Sequence, residues 1–432
     1  MRTGRVWARL LGVERTVIER VEFDADTGEL VAHVHPMRAA RRRCGVCGCR
    51  CPGYDGGEGR RRWRCLDLGT MRAVAEADAP RVRCKAHGVV VAAVPWARHG
   101  AGHTRFFDDQ VAWLAVMCSK SAVMELMRIA WRTVGAIVTR VADDAMAGVD
   151  RLAGLRRIGI DEISHKRGHR YLTVVVDHDS RRLIWAAPGR DKATLRKFFD
   201  LLGTERCALI THVSADAADW IADVVAERCP NAVRCADAFH IVAWATEALD
   251  EVRRQAWNDA RALARTEPRR GRGRPPADAA PRVGSQRAQR LKHARYALWK
   301  NPDNLTTHQR DKLAWIAKTD PRLYRAYLLK EGLRHVFVVK GEAGKEALDR
   351  WLCWAARCRI PAFVTLGRKI RKHRAAIEAA LEHNLSNALI ESTNTKIRLL
   401  QRIAFGFRSP DALIALAMLA LGGFRPPLPG RP

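Results

Sequence analysis

Hydrophobic positions follow two different rhythms along this chain. Between residues 157 and 235 they fall in short runs rich in β-branched residues. Residues 157–163, 170–176 and 182–187 predict three successive strands, the last two joined by a turn at 177–181. Residues 192–202 carry Leu195, Phe198, Phe199 and Leu202 at helical spacing. Residues 208–213 predict a fourth strand, 218–228 a second helix stopped by Pro230, and 232–235 a last short strand. Elsewhere the helical rhythm dominates. Residues 104–118 place Phe107, Val111, Leu114, Ala115 and Cys118 on one face. Two further helical stretches, 119–127 and 133–142, meet at a tight turn before Trp131, which reads as a helix-turn-helix or as a plain helical hairpin. Residues 241 to 374 are mostly helical; 334–339 could pass for a strand and is read as part of a helix, and the basic run 269–276 reads as an exposed loop or, less readily, as an insertion into an A·T-rich minor groove.

Three antiparallel strands followed by helix-linked parallel strands is the order of a ribonuclease-H-like fold. In that order the first and fourth strands are neighbours. Asp161 ends the first and Asp216 follows the fourth, so their carboxylates would converge. Glu162 is expected on the opposite face, because strand side chains alternate. Asp177 and Asp179 fit a turn, and Asp219 and Asp223 fit exposed helix positions. Asp237 and His240 follow the fifth strand. They could position DNA, or could be an N-cap and a packed histidine.

Charge changes what these acids mean. The 432 residues include 76 Lys and Arg against 46 Asp and Glu, a formal charge of +30. Such an excess favours a polyanionic partner. Carboxylates at strand ends of so basic a chain suit Mg²⁺, which prefers hard oxygen ligands and substrate phosphate. A third acid, Glu391, lies on a helical stretch, 386–402. There Glu391, Asn394, Thr395, Arg398 and Arg402 share a face, opposite Leu389, Ile397, Leu400 and Ile403. No signal segment is visible at the start. The most apolar run, 413–422, is shorter than the ~18–20 residues that span a bilayer. A cytoplasmic location with reduced cysteines is therefore expected, with nucleoid association when DNA is bound.

Cysteine spacing adds a metal centre. Cys44, Cys47, Cys49, Cys51, Cys65 and Cys84 crowd the N-terminal region. Cys44 with Cys47, and Cys84 with His87, form two knuckles that offer four ligands to a tetrahedral structural zinc. Cys49, Cys51 and Cys65 are spare candidates. The basic stretch Arg60-Arg-Arg-Trp-Arg64 between the knuckles fits a zinc ribbon that presents arginines to DNA.

Several segments carry a resemblance. They are Gly159-Ile-Asp-Glu162, Val213-Ser-Ala-Asp216, Asp237-Ala-Phe-His240, Tyr296-Ala-Leu-Trp-Lys-Asn-Pro302, and 386–409 with its Gly406-Phe-Arg408. With the cysteine pairs, they make the chain resemble bacterial DDE transposases of the ISL-three insertion-sequence family over nearly its whole length. One departure is His87, where many relatives have a second cysteine. The resemblance implies an α/β fold: a ribonuclease-H-like catalytic core with an all-helical insertion, preceded by a small zinc-binding domain and a helix-turn-helix. The expected boundaries are 1–98 for the zinc-binding domain and 99–150 for the helix-turn-helix. The first part of the core spans 151–245, the helical insertion 246–374, and the final core helices 375–432.

The resemblance further implies a catalytic triad of Asp161, Asp216 and Glu391 that holds two Mg²⁺ or Mn²⁺ ions. It implies cleavage at the ends of an insertion element, freeing a 3′-OH that attacks target DNA. His240, Arg132, Arg140, Lys396, Arg398 and Arg402 are the expected DNA contacts. The partners would be double-stranded DNA, as terminal inverted repeats and target, and a second copy of the chain. A DNA-binding regulator, or a catalytically silent descendant, is the alternative, and the intact set of three acids argues against it.

Overall fold

The structure is a computed structural model that describes residues 3–216, 218–267, 282–383, 385 and 387–431. The expected loop at 269–276 lies outside the described residues. The chain divides into two compact units, Met1–Arg151 with Thr395–Pro432, and Leu152–Asn394.

The first unit opens with α1 (Thr3–Leu10), β1 (Thr16–Asp24), β2 (Glu29–Pro36), β3 (Gly53–Asp55), β4 (Arg60–Arg64), β5 (Arg72–Asp78), β6 (Arg81–Cys84) and β7 (Gly88–Val91). These make two sheets. A four-stranded sheet ordered β1-β2-β5-β4 buries Ala32, Val34, Trp63, Ala73 and Ala75. A three-stranded sheet, β3-β6-β7, carries the cysteines. The arginines of β4 were expected to face DNA from the ribbon. They lie in the larger sheet and are paired there. Arg60 and Arg62 meet Glu76 at 2.8 and 2.7 Å, Arg64 binds Asp67, and Arg61 donates to the Ala101 carbonyl at 2.9 Å. The reason is register: β4 runs antiparallel to β5, which sets Arg62 directly opposite Glu76.

Three helices follow: α2 (Arg105–Met117), α3 (Lys120–Met127) and α4 (Trp131–Ala147). Thr104 and Ser119 cap α2 and α3 through their hydroxyls. Phe107, Val111, Val123, Val134, Ile137 and Val141 form their common core.

The second unit begins with β8 (Arg157–Lys166), β9 (Arg170–Asp177), β10 (Arg182–Pro188), α5 (Lys192–Leu202), α6 (Thr204–Cys207), β11 (His212–Ala215), α7 (Asp219–Arg228) and β12 (Val233–Ala236). The fourth strand starts later than 208, because residues 208–210 close turns back onto α6. The sheet order is β10-β9-β8-β11-β12, with β8 antiparallel to β9 and parallel to β11. Gly159 sits where a Cβ would come within 2.9 Å of Val176 and 3.0 Å of His178. Its bareness lets His178 bond Ser214 across β8 at 2.8 Å.

Helices complete this unit: α8 (Ala238–Thr266), α9 (Val283–Lys292), α10 (Arg295–Trp299), α11 (Thr307–Thr319), α12 (Pro321–Val339), α13 (Gly341–Arg357), α14 (Pro361–Lys372) and α15 (Arg374–His383). Residues 334–339 are helical, as their spacing suggested. Leu249, Leu329, Leu333, Leu348, Trp351 and Phe363 share one buried core.

α16 (Ala388–Ile403) passes from the second unit into the first, and α17 (Pro410–Leu421) lies wholly in the first. Leu400, Leu416 and Leu419 find their apolar partners in the core around Phe107 and Ile137. No helix among the described residues is long and apolar enough to cross a membrane.

Candidate active site and metal centre

Strand register builds the site. Ile160 pairs with Ala215, and Ala215 with Ala236. One residue further along each strand stands an aspartate: Asp161, Asp216 and Asp237. Neighbouring strands lie about 4.8 Å apart. Three carboxylates thus form a row at the carboxyl edge of the parallel strands, where open sheets place their ligands.

Asp161 is pushed up to about 7, first by burial and then by the charge of Asp216. Its Oδ2 accepts a hydrogen bond from Asn394 Nδ2 at 2.7 Å, and its Oδ1 accepts the Glu162 N–H at 2.7 Å. Asn394 is buried, and it lies three residues after Glu391, on the same side of α16. Glu391 is raised by burial and by the charges of Asp237 and Asp216.

Asp237 serves twice. Its side chain accepts the N–H groups of Phe239 and His240, capping α8. Its Oδ2 also lies 2.7 Å from His240 Nδ1, which stands 2.8 Å from Asp216 Oδ1. Asp216 and then Asp237 push this histidine up to about 10, so the ring is cationic at neutral pH. A single Nδ1–H serves one acceptor, and its direction favours Asp237. Asp216 Oδ1 is left buried, in ionic contact but without a hydrogen bond. A carboxylate oxygen keeps a second lone pair beside such a contact, and in a row of hard oxygens it fits a divalent cation. The tightest grouping is not the expected triad, however. Ligand atoms of Asp216, Asp237 and His240 lie within 4.8 Å of one another, a set that excludes Asp161 and Glu391. The histidine cation draws two of the row together.

Glu162, expected to point away, is held by Arg190 at 3.1 Å. It nevertheless stays near enough for its carboxyl to be raised by burial and, in part, by Asp216. Asp177 and Asp179 cap a turn and pair Arg157, and Asp219 and Asp223 pair Lys372 and Lys192, as their positions suggested.

In the first unit, Cys44, Cys47, Cys84 and His87 bring their ligand atoms within 4.8 Å of one another. Cys47 Sγ lies 3.7 Å from Cys84 Sγ, and His87 Nδ1 lies 3.5 Å from Cys84 Sγ and 3.7 Å from Cys44 Sγ. A tetrahedron with Zn–S near 2.3 Å has edges of about 3.8 Å between sulfurs and about 3.5 Å between sulfur and nitrogen. The four fit zinc without rearrangement, and His87 is a member of the set. The N–H groups of Ala86 and His87 hold the Cys84 thiol down at about 7, toward the thiolate that zinc takes. Of the spare cysteines, Cys51 packs beside the cluster and Cys65 lies in the neighbouring sheet's core.

The expected DNA contacts divide. Arg132 is exposed on α4, and Lys396, Arg398 and Arg402 are exposed on α16. Arg140 is turned inward onto the fully buried Asp108, at 3.1 Å. Sequence reasoning missed Asn394 as the partner of Asp161. Its one signal was a polar residue three positions from Glu391, beside a stripe that holds Ile390 and Ile397.

Three family models match these same regions. A transposase model of the DDE type matches residues 158–417, six-tenths of the chain. The chain belongs to the ISL3 family of transposases. A model of the helix-turn-helix domain of ISL3 transposases matches residues 92–142, which decides between the two readings of α2–α4. A zinc-finger model from transposases of the IS204, IS1001, IS1096 and IS1165 elements matches residues 40–87, a span that includes Cys44, Cys47, Cys84 and His87. The chain is 70% identical to the transposase for insertion sequence element IS1557 of Mycobacterium tuberculosis, over all of its own length and 98% of that protein. It is 26% identical to the transposase for IS1001 of Bordetella parapertussis, over 91% of the chain and 92% of the relative. The protein is thus an insertion-sequence transposase with zinc-finger and helix-turn-helix regions.

Proposed function

We propose that this transposase cuts and joins DNA at a ribonuclease-H-like centre whose acids are Asp161, Asp216 and Glu391. The observation that carries the reading is the register row, which sets Asp161 beside Asp216 while Glu391 approaches from α16. A pair of divalent cations, Mg²⁺ or Mn²⁺, held by these three acids supplies charge neutralisation at the scissile phosphate and activation of the attacking hydroxyl. Asn394 fixes the orientation of the Asp161 carboxylate. His240 stands beside the row as a cation suited to a phosphate of the same strand, and Asp237 holds its ring. The helices of 246–374 act as an insertion within the core. Residues 1–98 and 99–150 recognise the terminal inverted repeats, with zinc shaping the ribbon and Arg132 at the helix-turn-helix. Lys396, Arg398 and Arg402 contact the DNA backbone. Arg140 supports α4 from within. A homodimer or larger assembly pairs the two element ends, in the cytoplasm.

The test is cleavage of a labelled duplex carrying the element's own terminal repeat, with Mg²⁺ or Mn²⁺. Nicking at the repeat boundary by the wild type, abolished by Asp161→Ala, Asp216→Ala and Glu391→Ala with binding retained, is the expected result. Specific binding without cleavage under either metal would favour a DNA-binding regulator.

A further inference from the structure

The turn that ends α16 builds a second charged feature, remote in chemistry from the acidic row. Phe405 and Gly406 take left-handed conformations, φ 55° and 94°, and the Gly406 N–H reaches back to the Gln401 carbonyl at 2.8 Å. This capping turn directs the next residue, Phe407, onto α3 and α4. Between Phe407 and Trp131 lies the ammonium of Lys120, 5.7 and 4.1 Å from the two ring centroids. Lys120 is only 8% exposed, yet among the described residues no carboxylate lies within ion-pair distance of it. A buried cation without a counter-charge is costly, and the aromatic faces offset only part of that cost.

The ammonium faces a cleft of about 620 Å³, walled also by Arg132, Gly135 and Arg408. Gly135 leaves the room: a Cβ there would come within 3.1 Å of Lys120 Nζ. Arg132 and Arg408 are exposed and form no ion pair among the described residues. Ser409 and Asp411, at the start of α17, line the cleft too, and Ser409 Oγ already takes the Asp411 N–H. Arg140 lines it too but is committed to Asp108. Asp143 and Asp411 are on the wall, and neither reaches Lys120. A buried lysine and two free guanidiniums around one cleft are together an anion site. The cleft adjoins the first turn of α4, the second helix of the helix-turn-helix, where such motifs meet DNA.

We propose that this cleft seats one backbone phosphate of bound duplex DNA, held by Lys120, Arg408 and Arg132. The Gly406-Phe-Arg408 segment is then part of the DNA-holding surface of the first unit, not of the catalytic centre. The inference rests on the DNA-binding reading of the helix-turn-helix. Phosphate contacts position DNA without reading its sequence, and each lowers the salt dependence of binding by a countable step when lost.

Full-length wild type, Lys120→Met and Arg408→Gln would be titrated with two labelled duplexes, the terminal repeat and an unrelated sequence, across a range of salt. Each variant should reduce the slope of log affinity against log salt, equally on both duplexes and by no more than the ~0.9 that one phosphate contributes. A scan of single methylphosphonate linkages in the repeat should reveal one position that weakens the wild type and has no further effect on either variant. Unchanged slopes, or no such position, would overturn the phosphate site. If Lys120→Met loses its folded circular dichroism, exposed Arg408→Gln decides alone. A wild type that binds neither duplex would overturn the DNA-binding reading itself, and this inference with it.

Discussion

Replacing Asn394 with alanine isolates a hydrogen bond that ties α16 to the proposed first metal-binding aspartate, Asp161. The bond is short, 2.7 Å from Nδ2 to Asp161 Oδ2, and Asn394 is 2% exposed, so water cannot substitute freely for the lost amide. A hydrogen bond to a charged group contributes about 1.5–3 kcal/mol. If that loss falls entirely on the reactive geometry, cleavage slows roughly 10- to 150-fold. Single-turnover nicking of the repeat duplex at saturating enzyme reads this number directly. Binding should not change, because Asn394 is buried and offers nothing to DNA. Asn394→Asp should be slower than Asn394→Ala, since it sets a further carboxylate against Asp161, whose own carboxyl is already raised by burial and Asp216. A folded Asn394→Ala enzyme that nicks within twofold of the wild type would refute the positioning argument.

Other expectations follow from the same geometry. The purified chain should carry one zinc, and Cys84→Ser or His87→Ala should release it and unfold the small sheet. Metal analysis with limited proteolysis of the region 40–92 checks this, and a zinc-free, protease-resistant wild type would contradict it. Gly159→Ala should cost about 1–3 kcal/mol of stability, because the new methyl meets Val176 and His178; thermal unfolding reads the shift, and an unchanged melting point counts against the tight crossing. Arg140→Ala and Arg132→Ala should separate cleanly. The first leaves buried Asp108 short of a partner and should destabilise the fold by about 3 kcal/mol, while the second should weaken DNA binding and leave stability alone. Equal effects of the two on binding, with no loss of stability in the first, would show that the inward turn of Arg140 is misplaced.

Much of this protein was written in its periodicities. The β-branched runs at 170–176 and 182–187 became strands, and the helical stripes at 192–202 and 104–118 became helices, because local burial and side-chain spacing decide such elements. Two knuckles of two ligands each marked a metal site, since tetrahedral chemistry restricts what spacing can serve it. The sequence also supplied every member of the acidic row. What it could not supply was register. Only the pairing of Ile160 with Ala215 and Ala215 with Ala236 makes Asp161, Asp216 and Asp237 neighbours, and only the approach of α16 converts Asn394 from one more polar helix residue into the partner of Asp161. Charge needed the fold in the same way. Arg60, Arg62 and Arg140 read as DNA contacts, and only cross-strand and inter-helix packing set Glu76 and Asp108 against them. Sequence determines which groups a chain owns and which local forms they favour, but the partner of each charge is a long-range contact, and long-range contacts exist only once the chain has folded.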